Sequence, residues 1–241
     1  MSIIFNTGKW TEKELDHLIR SAADISESGE RIAFLSSRFL DTSYGEATLT
    51  GSITVPEELV INLAAMDCFT FIDYIEAMRL SQSFAEFPEN LRRVRYPYAE
   101  ISYTMRNHFF TDWLEYNADF VADITAKVGT NKTVRVRKSL NLQENGELYL
   151  PGIAVVERDL SYIPSGAVDG NVLNKLKTGD YIGIYSDKAG LDVSHVGIFI
   201  RSANALYLRH ASSSKESRKV VDQEFSGYIS QKPGILILRP K

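Results

Sequence analysis

The sequence predicts an α+β fold in which N-terminal helices pack on a C-terminal antiparallel sheet or half-barrel. Up to about residue 126 the apolar residues recur mostly at helical spacing. From Gly179 the pattern changes to short apolar or alternating runs separated by turns: YIGIY (181–185), SHVGIFI (194–200), ALYLRHA (205–211) and GILILRP (234–240). Short connections between such runs make an antiparallel sheet, and helices first with strands last is the α+β order.

Thr11-Glu12-Lys13-Glu14 opens the first helix as a capping box, with Trp10 and Leu15 placed for a hydrophobic staple. Leu15, Leu18, Ile19 and Ala22 form its apolar stripe. A second helix is expected over about 29–39, with Ile32, Leu35 and Phe39 inward, ending in the turn Asp41-Thr42-Ser43-Tyr44-Gly45. Residues 58–63 read as a short strand. A helix then runs from Cys68 to about Ser81, with Ile72, Ile75 and Met78 inward and Asp73, Glu76 and Arg79 outward. Pro88 and Pro97 suggest a loop over 84–100, and 101–126 reads as mostly helical. The segment 131–166 mixes turns with β-type runs and ends at Tyr162-Ile163-Pro164. The whole, 1–241, is expected to be one domain, with 84–166 as a helical and loop insertion shaping a cleft.

At 241 residues the chain is long enough to bury a substantial core. A net charge of −4 argues against a nucleic-acid partner, which calls for a basic face. No apolar run approaches the ~18 residues of a membrane span. The start, MSIIFNTGKW, shows no basic and apolar leader, so no signal peptide is visible. One cysteine excludes an internal disulfide and fits either the cytoplasm or an envelope protein with one reactive thiol.

That cysteine, Cys68, directly follows Asp67, a strong helix N-cap type. A free cysteine ordinarily packs as a small hydrophobe. At a helix N-terminus, however, unpaired N–H groups and the macrodipole favour an anion, and a thiol there is expected to hold more thiolate at neutral pH. His195 opens the strand SHVGIFI, sharing a face with Gly197 and Phe199, and the small Gly197 leaves room for a helix or substrate. His210 ends ALYLRHA on the face of Leu206 and Leu208. The two histidines lie on consecutive strands and can be cross-strand neighbours. Cysteine, proton-holding histidine and orienting third residue form the logic of nucleophilic catalysis. Zinc would accept the same three side chains, but the close-spaced ligand pair of a zinc site is missing. His17 falls off the apolar stripe of the first helix and reads as surface, whereas His108, near Trp113 and Asn117, is a candidate to line a cleft. No phosphate-binding glycine loop and no Gly-x-Ser-x-Gly elbow occurs.

In order along the chain, Asp67-Cys68, Gly179-Asp180, Ser194-His195-Val196-Gly197-Ile198 and Arg209-His210-Ala211-Ser212 resemble the NlpC-type, papain-like cysteine peptidases of bacterial cell-wall turnover. The resemblance is closer to a branch associated with N-acetylmuramoyl-L-alanine amidase activity. It rests on Asp-Cys-x-Thr-Phe, Arg106 and His108 followed by Asp112-Trp113, Tyr162-Ile163-Pro164 and the two late histidine strands. It runs over most of residues 30–240. Phe69 stands where small hydroxyl residues are usual, and Ser43 where proline commonly precedes the tyrosine.

The resemblance implies a papain-like fold, with Cys68 as nucleophile, His195 as base and His210 as orienting residue. It implies that Tyr44, Asp67, Arg106, His108, Trp113, Tyr162 and Ser194 contact substrate. The expected reaction is hydrolysis of the amide between N-acetylmuramic acid and L-alanine in peptidoglycan or muropeptides, with no metal or organic cofactor. Alternatives are cleavage of the D-glutamyl–diaminopimelate bond, thioester acyl transfer, or wall binding without catalysis. The substrate points to the periplasm or cell envelope, with the cytoplasm as the alternative, and the expected oligomeric state, which the sequence does not fix, is a monomer.

Overall fold

The computed structural model describes residues 3–241. By internal contact the chain divides into two compact units, residues 1–106 with 209–223, and residues 107–208 with 224–241.

The first unit is built on helices. Thr11 caps the helix Glu12–Ala23 as the sequence indicates: Glu14 N donates to Thr11 Oγ1 at 3.2 Å, and Thr11 N donates to Glu14 Oε2 at 2.8 Å. The helices Ser28–Ser37 and Cys68–Leu80 follow close to their expected bounds. Leu15, Ile19, Ile32, Leu35, Phe71, Ile75 and Met78 are fully buried. The strand expected at 58–63 is Leu59–Asn62; its parallel partner Ile3–Asn6 and a second short parallel pair, Ser43–Tyr44 with Ala65–Met66, are added without a periodicity signal.

Two expectations for this unit are corrected. Residues 87–95 form a helix rather than a loop. Pro88 stands in its first turn, where a missing N–H costs nothing, and the helix ends before Pro97. The Cys68 helix is also buried all round. Asp73, Glu76 and Arg79 lie inside with Ile72, Ile75 and Met78. Each buried charge is matched: Arg79 binds Glu76 through Nε at 2.8 Å and Nη2 at 2.6 Å, and Asp73 accepts from Arg95 at 2.8 Å. Pairing makes charge tolerable in the interior.

The second unit holds the expected antiparallel sheet. Tyr181–Tyr185 lies between Val193–Arg201 and Gly234–Pro240, both antiparallel to it. Tyr181–Tyr185 and Gly234–Leu238 are buried throughout, which accounts for their unbroken apolar sequences. Ile163, Ile182, Ile184, Phe199, Phe225, Ile235 and Ile237 meet in one apolar cluster.

Residues 134–164 form a long hairpin, Val134–Leu140 against Val156–Pro164, in register from Val134↔Tyr162 to Leu140↔Val156. The expected mostly helical stretch 101–126 is corrected to one two-turn helix, Phe110–Tyr116, a strand Val121–Asp123 and a short helix from Thr125. Tertiary pairing overrides local pattern there, because Val121–Asp123 pairs with Leu238–Pro240. No helix among the described residues is long and apolar enough to cross a membrane.

Candidate active site

In the first unit, Asp67 is the N-cap of Cys68–Leu80. Its Oδ1 accepts from Phe69 N at 3.0 Å and Thr70 N at 2.7 Å, while Asp67 N donates to Thr70 Oγ1 at 3.0 Å. Cys68 is therefore the first residue of a 13-residue helix, half-buried, with the backbone on both sides of it fixed. The early N–H groups of such a helix present partial positive charge.

Tyr44 belongs to the same framework. It is in parallel register with Met66, and Gly45 N donates to Met66 O at 3.1 Å. On its other side Tyr44 N donates to Arg218 O at 2.9 Å, and Val220 N to Thr42 O at 2.8 Å. Ser212 N then donates to Lys219 O at 2.9 Å. Segments 65–66, 43–44, 218–220 and 209–212 thus form successive rungs, which join Asp67-Cys68, Tyr44 and His210 in one hydrogen-bonded framework. Burial first, then the nearby charges of Cys68 and Asp67, raise the proton affinity of the Tyr44 phenol. Tyr44 is a neutral hydroxyl donor at neutral pH. The Arg218 guanidinium lies over its ring, 5.0 Å from the centroid.

His210 is buried, with its Nε2 3.1 Å from Gln223 Oε1. Its neighbour Arg209 is the anchor. Arg209 grips both oxygens of Asp222 at 2.7 Å and donates to Ala33 O at 3.1 Å and Ser36 Oγ at 3.0 Å. Side chains alternate along a strand, so holding Arg209 on one face presents His210 on the other. Arg106 binds Glu57 in an ion pair, with Nε to Oε1 at 3.0 Å and Nη2 to Thr50 O at 2.8 Å. Tyr96 Oη donates to the same carboxylate at 2.7 Å. Arg106 therefore ties down the loop that follows Tyr44.

In the second unit, His195 stands beside a β-bulge. Ile184 pairs with His195 and Tyr185 with Val193, which leaves Ser194 as the extra residue. A bulge re-aims the side chains next to it. Ser194 is exposed, and its Oγ donates to Ile184 O at 3.4 Å. The ring of Tyr228 is 6.3 Å from that of His195.

Asp192, fully buried, anchors the start of this strand. Its carboxylate accepts from Thr111 N at 2.7 Å, Thr111 Oγ1 at 2.8 Å and Val193 N at 2.7 Å. Burial raises its pKa and those hydrogen bonds oppose the rise. Asp112 pairs with Arg158 at 2.7 Å, yet burial, reinforced by the charge of Asp192, pushes it up to about 6. Trp113 is fully buried, stacked on Phe110 and edge-on to Tyr181. His108 is half-buried just ahead of that helix. Tyr162 stacks on Tyr185 with centroids 3.8 Å apart, and Lys138 Nζ lies 5.1 Å from the Tyr185 centroid while donating to Ser186 O and Lys188 O.

Of the expected site residues, Tyr44, Asp67, Cys68, Arg106 and His210 thus belong to the first unit. His108, Trp113, Tyr162, Ser194 and His195 belong to the second. Arg218, Gln223, Asp192, Thr111, Tyr185 and Tyr228 were not singled out in the sequence. Only Asp192, an acid placed just ahead of a histidine strand, left a local signal.

A family model described as AmiA-like, N-acetylmuramoyl-L-alanine amidase-like, matches residues 34–235. The crystal structure of an N-acetylmuramoyl-L-alanine amidase from Bacteroides uniformis is 30% identical, covers 89% of this chain and 99% of its own, and has a TM-score of 0.73. A Legionella pneumophila protein, 22% identical, has a TM-score of 0.80 over 95% of this chain and 94% of that one, a likeness that shows the fold alone. A protein described as a putative xylanase from Bacteroides fragilis is 28% identical over 85% of this chain and 98% of that one, with a TM-score of 0.67. No curated protein matches the chain. Every candidate residue named above from Tyr44 to Tyr228 lies within the matched span, and the chain belongs to the AmiA-like, N-acetylmuramoyl-L-alanine amidase-like family.

Proposed function

We propose that the chain is a cysteine amidase that hydrolyses the bond between the lactyl carbonyl of N-acetylmuramic acid and L-alanine in peptidoglycan or its fragments. Family membership supports an amidase-like hydrolase with a peptidoglycan-related substrate. The observation that carries the thiol mechanism is the placement of Cys68, the only cysteine, as the first residue of a long helix behind a fully used N-cap. The NlpC-type, papain-like reading of the fold rests on the same residue together with the two strand histidines.

In this mechanism the Cys68 thiolate attacks the lactyl carbonyl carbon. The oxyanion accepts hydrogen bonds from the Cys68 backbone N–H and the neutral Tyr44 hydroxyl. Protonated His195 gives its proton to the alanine nitrogen as the C–N bond breaks, leaving a thioester on Sγ and a free amine. His195 then takes a proton from water, hydroxide adds to the thioester, and the carboxylic acid leaves as the thiolate reforms. His210 orients the base. Action on peptidoglycan would put the protein in the periplasm or cell envelope.

Mass spectrometry of muropeptide digests tests this reading. It requires a product with a free lactyl carboxylate and one with an L-alanine N-terminus. Cleavage between D-glutamate and diaminopimelate would identify an endopeptidase, and lactyl transfer to an added amine an acyltransferase. Cys68→Ala that cleaves as fast as the parent overturns the thiol mechanism. Sacculus binding without product from either form identifies a wall-binding module.

A further inference from the structure

The helices Glu12–Ala23 and Ser28–Ser37 border a groove of ≈ 680 Å³ in the first unit that the proposed chemistry does not use. Its apolar surface comes from Trp10, Leu18 and Phe34, and its polar rim includes Lys13, His17 and Arg38. The volume is in the range of sites that hold a small organic ligand. Trp10 Nε1 is buried, so the part of the indole that faces out is carbon.

Both aromatic walls carry a cation: Arg38 Cζ lies 4.8 Å from the Phe34 centroid and Lys9 Nζ 5.2 Å from that of Trp10. Among the described residues, Lys9, Lys13 and Arg38 take part in no ion pair. The one carboxylate at the groove, Glu14, is spent on the Thr11 capping box, where it accepts from Thr11 N and Oγ1 at 2.8 Å each. An acidic chain of net charge −4 thus gathers cations outside any close ion pair around two aromatic faces. Rings stack on the apolar faces of sugars, and rim cations select anions.

We infer that this groove binds an anionic glycopeptide, with a sugar face on Trp10 and Phe34 and peptide carboxylates on Lys13 and Arg38. The choice of occupant rests on the amidase reading, since stem peptides on a glycan supply this combination. The groove would hold the enzyme on the polymer while the Cys68 site cleaves.

The test compares the parent, Lys13→Glu/Arg38→Glu and the milder Arg38→Gln for co-sedimentation with purified sacculi at low and high salt. The double variant should lose about tenfold in sacculus affinity, Arg38→Gln less, and high salt should weaken the parent most. Cleavage of a soluble muropeptide by the variants should stay within about twofold of the parent, because rim charge acts on capture. Trp113 is fully buried, so a change in tryptophan emission on titration with that muropeptide should come from Trp10 and vanish in Trp10→Phe. Variants that sediment like the parent overturn the inference, and so does equal binding of carboxyl-amidated or peptide-free sacculi. An unfolded double variant, seen by circular dichroism, leaves Arg38→Gln and the Trp10 titration to decide. Absence of cleavage by any form would reject the amidase reading, while sedimentation still decides the groove.

Discussion

Asp67 and Thr70 hold each other's backbone across the first turn of the cysteine helix: Thr70 N donates to Asp67 Oδ1 at 2.7 Å, and Asp67 N to Thr70 Oγ1 at 3.0 Å. Asp67→Ala removes two accepted N–H bonds and should cost about 1 kcal/mol, or about 2–4 °C in thermal midpoint. Asp67→Asn keeps the acceptor and should lie within a few tenths of a kcal/mol of the parent. If Cys68 is the nucleophile of a muropeptide amidase, Asp67→Ala should also lower muropeptide cleavage beyond its loss of folded protein, because Cys68 lies between the two gripping residues. An unchanged midpoint in Asp67→Ala would show that the cap contributes nothing.

Capped and alternating segments were legible because their cause is local. Thr11-to-Glu14 and Asp67 announce helix starts, and the apolar runs at 181–185 and 234–240 announce buried strands. The interior charges were not legible. Asp73, Glu76 and Arg79 follow the pattern of a solvated face, and their partners come from other segments or a neighbouring turn. The segment Val121–Asp123 is a strand only because Leu238–Pro240, more than a hundred residues on, pairs with it. The helix start that places Cys68 was legible because Asp67 is a local capping signal. The neighbours of the other candidate residues, Arg218 beside Tyr44 and Gln223 beside His210, are ordinary types placed by long-range pairing.

Arg95 and Asp73 form a buried ion pair, and Arg95 Nη1 also donates to Val60 O at 2.7 Å. Asp73→Ala leaves a guanidinium inside without its counter-ion and should cost about 3–5 kcal/mol. Replacing both, as in Asp73→Leu/Arg95→Met, removes both desolvation penalties and should recover most of that loss. Urea unfolding of Asp73→Leu, Arg95→Met and the double variant measures the coupling. If the losses simply add, the pair is not coupled.

Asp112 sets a pH dependence of stability. Burial holds its pKa at about 6, above the ~3.9 of an unfolded aspartate, so the folded chain keeps a proton that the unfolded chain has released. Stability from this group is therefore full below about pH 4 and falls as pH rises to about 6, by up to about 3 kcal/mol. Asp112→Asn cannot titrate and should flatten the slope of unfolding free energy between those pH values. Parallel pH profiles of parent and variant would place the slope elsewhere.

Thr111 links the helix Phe110–Tyr116 to the start of the His195 strand, because both its N–H and its hydroxyl donate to buried Asp192. Asp192 is followed by Val193, the bulged Ser194 and then His195, so a shift of the carboxylate is passed along very few bonds. Thr111→Val keeps the shape and the backbone N–H and removes only the hydroxyl. Losing a donor to a buried carboxylate should cost about 1.5–3 kcal/mol. If His195 is the base, displacing its strand should lower kcat several-fold and leave KM within about twofold, since an interaction used only in the transition state affects the chemical step. Thr111→Ser restores the hydroxyl and should recover kcat even where some stability is still missing. Failure of serine to rescue would reduce Thr111 to a packing residue. A rise in KM at constant kcat would move its influence from the base to substrate binding.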